Sequence, residues 1–496
     1  MIAALPFVLN VAVAATPSDD PRSVVRVHDT STCPFLLTHE GRTFGDPFPT
    51  YWDGVWHLYT LSADLRQVFH FTSKDLVKWA EHEPAMVGRG IATGSVVRRD
   101  GKYYLFYTDA GPQTIRLVVS DNPWQFDFKK SRLVAQADNK VYQLHKKKFR
   151  DCYVFFNDVE RRWWMLIEAT SDDKVAVGLF TSEDLLSWEQ RDPIFKDGSR
   201  AHASCPQVFE YDGIWYLAIQ DMGNWYYSAP TPRGPWTSRG QYLSLVVEAA
   251  SRFASDGTRQ LTWGWLCDWI AKPKPKALSY GGPLSVGREI VFNADGSMGV
   301  RPFPELLDAI RTMPGQGDLL AVARKLSGEW QVDAGKQTLK CTTDRGGAIV
   351  LDLPGESPDY YFEADLELDS PNAAVNVIVR SSVTAERGYG VALSPADKKI
   401  AIHRLAAGGE RHLLNDKPYG YPDKNTVSLQ IFVCDDHLEA FLDGRECLSA
   451  QVVDRSEHRL AIEITSGSGT IRKPFLHHFR SGSGSAAAIK AKRPNR

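Results

Sequence analysis

From about residue 40 to residue 300 the chain repeats one short pattern of hydrophobic and polar positions. A turn, usually Asp-Gly, leads into an alternating run rich in aromatic residues. The copies are Asp53-Gly54-Val55-Trp56-His57-Leu58-Tyr59, Asp100-Gly101-Lys102-Tyr103-Tyr104-Leu105, Glu160-Arg161-Arg162-Trp163-Trp164-Met165, Asp212-Gly213-Ile214-Trp215-Tyr216-Leu217 and Asp256-Gly257 through Trp265. Alternation bounded by Asp-Gly predicts hairpin strands. A second element follows some of these hairpins in near-identical form, Phe71-Thr72-Ser73-Lys74-Asp75-Leu76 to Trp79 and Phe180-Thr181-Ser182-Glu183-Asp184-Leu185 to Trp188. It reads as a third strand and the turn to an outer strand. The hairpins start roughly 45 to 60 residues apart, a propeller-blade period. Five copies predict five four-stranded blades packed around an axis, over residues 26–303. Sustained helical periodicity is absent there.

The pattern then changes. Residues 304–325, with Pro302, Pro304 and Met313-Pro314-Gly315, read as a linker carrying a short helix-like run at Leu306–Arg311. Short alternating strands such as Tyr360–Leu366, Ala374–Val379, Val427–Val433 and His437–Leu442 predict a β-sandwich over 326–480. The fold class is therefore all-β: a five-bladed β-propeller followed by a C-terminal β-sandwich. The small-residue and basic stretch 481–496 is expected to be disordered. Residues 1–15 are apolar and lead into Ala14-Ala15-Thr16, which fits a secretory signal peptide without a basic start. A secreted or periplasmic location follows from that expectation.

Composition narrows the function. The 496 residues carry a formal net charge of −2, which gives no basic surface for nucleic acid. The basic run His145-Lys146-Lys147-Lys148 reads as a solvated loop. No later segment is long and apolar enough for membrane insertion. The 7 cysteines are scattered without Cys-x-x-Cys spacing, so neither a disulfide framework nor a metal site is indicated. Neither a metal nor a cofactor is implied. The 14 Trp and 18 Tyr serve a β core and also offer aromatic faces to sugars.

In a propeller the innermost strands line an axial funnel, so a site is assembled from one residue per blade. Asp46, in Phe44-Gly45-Asp46-Pro47, is the first-blade candidate. An Asp-Pro pair stiffens the chain around it, and a carboxylate held on a rigid scaffold suits glycosidic-bond chemistry. Its bland alternative is a turn residue. Blade two offers the small-residue stretch Ala92-Thr93-Gly94-Ser95. Blade three offers Arg150-Asp151, where the arginine keeps the aspartate ionised or forms a merely structural ion pair. Blade four offers Ala201-His202-Ala203-Ser204-Cys205-Pro206, followed by Glu210. Blade five offers Asp268, between Cys267 and Trp269. Asp109 and Asp221 close inner hairpins and are expected to face the same funnel.

Together these residues resemble glycoside hydrolase family 32, the invertase, inulinase and levanase family, which joins a five-bladed propeller to a β-sandwich. Asp46-Pro47 with His57-Leu58-Tyr59 is similar to the motif that carries the family's nucleophile. Ala92-Thr93-Gly94-Ser95 is similar to its small-residue motif. Phe149-Arg150-Asp151 is similar to its Arg-Asp-Pro motif, whose aspartate stabilises the transition state. Tyr280 to Glu289 with Arg301-Pro302, and Leu429 through Gly444, resemble its propeller-closing and sandwich segments. The resemblance implies that Asp46 and Asp151 are catalytic, and that Arg150, Trp52, Ser95 and Asp268 bind substrate. It also implies an oligo- or polysaccharide substrate, with fructosides the first expectation.

Four positions depart from the family pattern. Gly45 and Phe48 replace flanking asparagines, Cys152 replaces the proline after Asp151, and Ser204 stands where the family has its acid/base glutamate. A serine hydroxyl cannot protonate a leaving group at neutral pH, and losing the acid costs about 10²- to 10⁴-fold in rate. The candidate substitutes are His202, Asp221, Glu210 and Asp268, beside Ser204 itself. Two functions stay open: a retaining glycosidase of β-fructofuranosidase type with an atypical acid, and a non-catalytic carbohydrate-binding propeller. The sequence does not fix the oligomeric state.

Overall fold

A computed structural model describes residues 24–36, 43–144, 148–243, 248–267, 280–313, 319–353, 357–419 and 426–479. The expected signal peptide and the 481–496 tail lie outside these residues, and so does Asp268.

Three of the four Asp-Gly turns of the repeat do what their composition requires. Asp53 and Gly54 have φ of 51° and 81°, Asp100 and Gly101 50° and 72°, and Asp212 and Gly213 50° and 76°. Two successive positive φ values give the turn whose twist matches a tight hairpin. In each case the turn joins an inner strand to the aromatic strand beside it. The near-copy elements also share one hydrogen-bond scheme. Ser73 Oγ accepts from Leu76 N at 2.9 Å and Ser182 Oγ from Leu185 N at 2.9 Å. Asp75 and Asp184 accept from the next backbone N–H groups, and Trp79 and Trp188 each donate to the leucine carbonyl at 3.2 Å.

The result is five antiparallel sheets in chain order. Their inner strands are Phe44–Trp52, Ile91–Arg99, Arg150–Asn157, Ser204–Tyr211 and Glu248–Ser255, and each contacts the next to close a ring. Four sheets have four strands. The first has a fifth, because Arg26–Asp29 pairs with the outer strand Lys78–Val87. The ring closes through aromatic packing. Trp263 of blade five meets Trp56 and Trp79 of blade one edge-on, at centroid distances of 6.0 and 5.8 Å. A short helix, Pro304–Arg311, buries Leu306, Leu307 and Ile310 against this region.

Two seven-stranded sheets form the C-terminal sandwich. Tyr360–Leu368 alternates buried and part-exposed residues after its first three, as a strand with one face in a core must. The sandwich packs on the propeller through a buried charge cluster. Arg288 of blade five is fully buried and pairs with Glu248 of blade five and Glu439 of the sandwich. Glu439 also accepts from Val286 N at 2.7 Å and Ser449 Oγ at 2.9 Å.

Removing one member of a buried ion cluster strands the others without a partner. Glu439→Ala is therefore expected to lower unfolding free energy by about 3–5 kcal/mol, measured by urea titration, with Glu439→Gln less severe because it keeps hydrogen-bonding capacity.

Candidate active site

The five inner strands share an irregularity that places the site. Each carries one extra residue near its start relative to its neighbour, between Phe44 and Pro47, Ala92 and Gly94, Arg150 and Tyr153, Ser204 and Gln207, and Ala249 and Arg252. Such bulges kink a strand and redirect a side chain. Three of the bulge residues, Asp151, Cys205 and Ala250, have φ of 61°, 51° and 54°, a conformation that costs non-glycine residues energy and clusters at functional sites. All five bulges lie at the same end of the axial channel. They bring Asp46, Thr93, Asp151 and Cys205 together.

Asp46 is buried, and its carboxylate is held from two blades. Trp265 Nε1 donates to Oδ1 at 2.8 Å, and Thr93 Oγ1 donates to Oδ2. Its backbone N–H donates to Tyr280 Oη at 3.1 Å. Tyr280 stands edge-on to Trp265 at 5.3 Å, and any side chain at position 45 would collide with it. That contact accounts for Gly45. Asp151 is fixed by its backbone N–H donating to Thr108 Oγ1 at 2.9 Å, and its Oδ2 accepts from Cys205 N at 3.2 Å. Carboxylate oxygens of Asp46 and Asp151 and the Cys205 sulfur all lie within 4.8 Å of one another. Burial pushes the Asp151 carboxyl up, and the Arg150 guanidinium beside it counters this while Glu168 and Asp46 add to the rise. Burial also keeps Cys205 well above the ordinary thiol range, so the free side chain is a thiol and not a thiolate.

Beside this pair lies a carboxylate that pattern reading did not single out. Glu168 is on the second strand of blade three, paired with Arg150, and is fully buried. It accepts from Arg150 Nε at 2.7 Å and Ser204 Oγ at 2.8 Å, and its other oxygen lies 3.1 Å from His202 Nδ1. Burial raises its pKa, but the hydrogen bond to His202 and the charge and hydrogen bond of Arg150 outweigh that and take it down to about 2. The sequence did hold a signal: Glu168 is the one charge in Trp163-Trp164-Met165-Leu166-Ile167-Glu168-Ala169.

The remaining candidates separate cleanly. His202 is in the cluster, with 43% of its side chain exposed. Ser204 is there too, but as a donor to Glu168. Asp221 accepts from His202 N at 3.1 Å and lies 3.6 Å from Arg200, so it braces the loop. Glu210 is exposed at the far end of its strand and bonds the Gly213 N–H. Asp109 sits at the near end of the channel, 3.9 Å from Arg116. Two expectations are corrected. Ser95 is buried, and its Oγ accepts from Val154 N at 3.0 Å, tying blade two to blade three; the redirected residue of that strand is Thr93. Trp52 ends the strand Phe44–Trp52 near whose start Asp46 lies, about 20 Å away at the rise of an extended chain. It lines a cavity of about 300 Å³ with Tyr51, Arg98, Phe155 and Trp163 at the opposite end of the channel.

Two domain models of one family match the chain. The glycosyl hydrolases family 32 N-terminal domain covers residues 45–230 and the family's C-terminal domain covers 325–478. Together they span well over half of the sequence. The chain belongs to glycosyl hydrolase family 32. Its similarity to a sucrose-6-phosphate hydrolase of Bacillus subtilis is 29% identity over 199 residues, 35% of this chain and 40% of that enzyme. A levanase of the same organism is 23% identical over 90% of this chain and 70% of its own length. Among solved structures, sucrose-6-phosphate hydrolase of Lactobacillus gasseri aligns with a TM-score of 0.65 at 15% identity, covering 91% of this chain and 94% of that one. Exo-inulinase of Aspergillus awamori aligns with 0.65 at 14%, covering 90% and 98%. At such identity these structures show the shared fold. Family 32 members are glycosidases, and the propeller funnel described here is where this chain gathers its carboxylates.

Because the folded-state pKa of Glu168 lies below that of an ordinary glutamate, its ionised form contributes stability above the normal carboxylate range, and that contribution is lost as pH falls toward about 2. Unfolding measured between pH 5 and pH 2.5, a range set by these carboxylate values, is expected to show a stability decline that is shallower in Glu168→Gln.

Proposed function

We propose that this family 32 protein is a retaining glycosidase of β-fructofuranosidase type, acting on a fructoside or related furanoside. The observation that carries the proposal is the buried Asp46–Asp151 pair, held within 4.8 Å at the funnel mouth, beside the His202–Glu168 contact. Asp46 attacks the anomeric carbon. Thr93 and Trp265 aim its two oxygens, leaving the carboxylate little freedom to rotate away. Asp151 accepts hydrogen bonds from ring hydroxyls and steadies the oxocarbenium-like charge. The names of the levanase and exo-inulinase relatives support a fructan among the substrates, and the apolar run at residues 1–15 supports export to where such polymers are met.

His202 supplies the leaving-group proton in this account. Glu168 cannot, because it is fully buried and held ionised by Arg150 and His202. Ser204 has no acidic proton at neutral pH. His202 is the exposed member of the cluster, and the Glu168 carboxylate beside its Nδ1 orients the ring. Carrying a hydrogen on both nitrogens, the ring donates from Nε2–H. The aglycone departs as a neutral alcohol, and the neutral imidazole takes a proton from the water that cleaves the Asp46 ester. Loss of that ester regenerates free Asp46 and a sugar of unchanged anomeric configuration.

Purified protein should release sugar from sucrose, inulin or levan and from aryl β-fructofuranosides, and Asp46→Asn should abolish both. His202→Gln is expected to cut turnover of the natural substrates by about 10²- to 10³-fold while sparing aryl substrates with good leaving groups. Equal loss on both substrate classes contradicts the assignment of His202. Sugar binding without turnover of any substrate contradicts the hydrolase and leaves a carbohydrate-binding propeller.

A further inference from the structure

The N-terminal arm crosses from the propeller to the sandwich. After its strand Arg26–Asp29 on the outer edge of blade one, the chain turns, with Cys33 N donating to Asp29 O at 3.2 Å. Phe35 then packs edge-on against His437 of the sandwich at 5.9 Å, and Leu36 bridges to Leu284 beside blade five. Cys33 lies in the middle of this crossing. Its sulfur is 3.6 Å from the sulfur of Cys434, which ends the sandwich strand Thr426–Cys434. The two residues are 401 positions apart in the chain, so sequence spacing conveys nothing of their pairing.

We propose that Cys33 and Cys434 form a structural disulfide that staples the N-terminal arm, and through it blade one, to the C-terminal sandwich. Side chains already in contact need only small torsional changes to reach bonding distance. The chemistry is also polarised. The hydrogen bond with Cys434 holds the Cys33 thiol below its ordinary range, and the same contact raises Cys434. Cys33 is part-exposed, whereas Cys434 is buried. Cys33 thiolate therefore attacks first, on a low-molecular-weight disulfide such as oxidised glutathione. That step forms a mixed disulfide and releases one glutathione thiolate. Cys434 then loses its proton and attacks the Cys33 sulfur, releasing the second glutathione. Two protein thiols are oxidised and one glutathione disulfide is reduced to two thiols. The loop closed spans about four fifths of the 496-residue chain, and a long loop gains most from closure in the chain-entropy account.

The test uses the full-length protein, reduced, freed of reductant and incubated with oxidised glutathione. Thiols are counted in denaturant, and non-reduced peptides are mapped by mass spectrometry. The expected outcome is a fall from the 7 thiols of the sequence by two, a single cross-linked pair joining Cys33 to Cys434, and an unfolding midpoint raised by roughly 5 °C. Cys33→Ser, at the part-exposed position, should fold, form no cross-link and show no such rise. Retention of all thiols, a cross-link elsewhere, or a cross-link without a change in midpoint overturns the proposal. Protection of the two thiols by zinc alone also overturns it, assigning Cys33, Cys434 and the nearby Asp435 to a metal instead.

Discussion

The one extra residue that each inner strand carries at the same end of the channel is the constraint on which the site depends. A regular strand sends alternate side chains to opposite faces, and a closed ring of such strands would fill its axis with whatever the alternation put there. The bulges break the alternation once per blade. They turn Asp46, Thr93, Asp151 and Cys205 into a common space while the rest of each strand continues as packed core. The positive φ of Asp151, Cys205 and Ala250 is the local cost, borne by five sheets that hold one another in place.

Electrostatics follows from that geometry. Asp46, Asp151 and Glu168 lie close together with Arg150 and Arg252 as the guanidinium groups in contact with the cluster. Arg252 is buried and donates to the backbone carbonyls of Asp151 and Pro206 at 3.1 and 3.2 Å, so its charge serves the channel as a whole. Arg150 meets Glu168 more closely, at 2.7 Å against 3.7 Å to Asp151. Serine at 204 thus leaves the neighbouring arginine with a carboxylate from the adjacent strand, and that carboxylate in turn engages His202.

The architecture was legible in the sequence because its signals are local. An Asp-Gly pair specifies its turn within two residues, and Ser-x-Asp-Leu with a following Trp specifies its own hydrogen bonds. Asp46, Asp151 and His202 were legible because short motifs carry them. Glu168 was not, because its role comes from cross-strand register with Arg150 and from contact with the next blade, neither of which leaves a short-range trace. Thr93 was not legible either, because a bulge shifts alternation by one, and nothing in Ala92-Thr93-Gly94-Ser95 announces where. Trp52 illustrates the opposite error: proximity to Asp46 in sequence becomes distance along an extended strand.

The central claim is that Asp46 is the nucleophile of a double-displacement reaction in this funnel. The most direct measurement is rapid acid quench during turnover of an activated fructofuranoside, followed by peptide mapping of the trapped protein. The account predicts a sugar ester on the peptide that contains Asp46, formed and lost at rates matching turnover. Turnover with no adduct, or an adduct on Asp151 in its place, would contradict it.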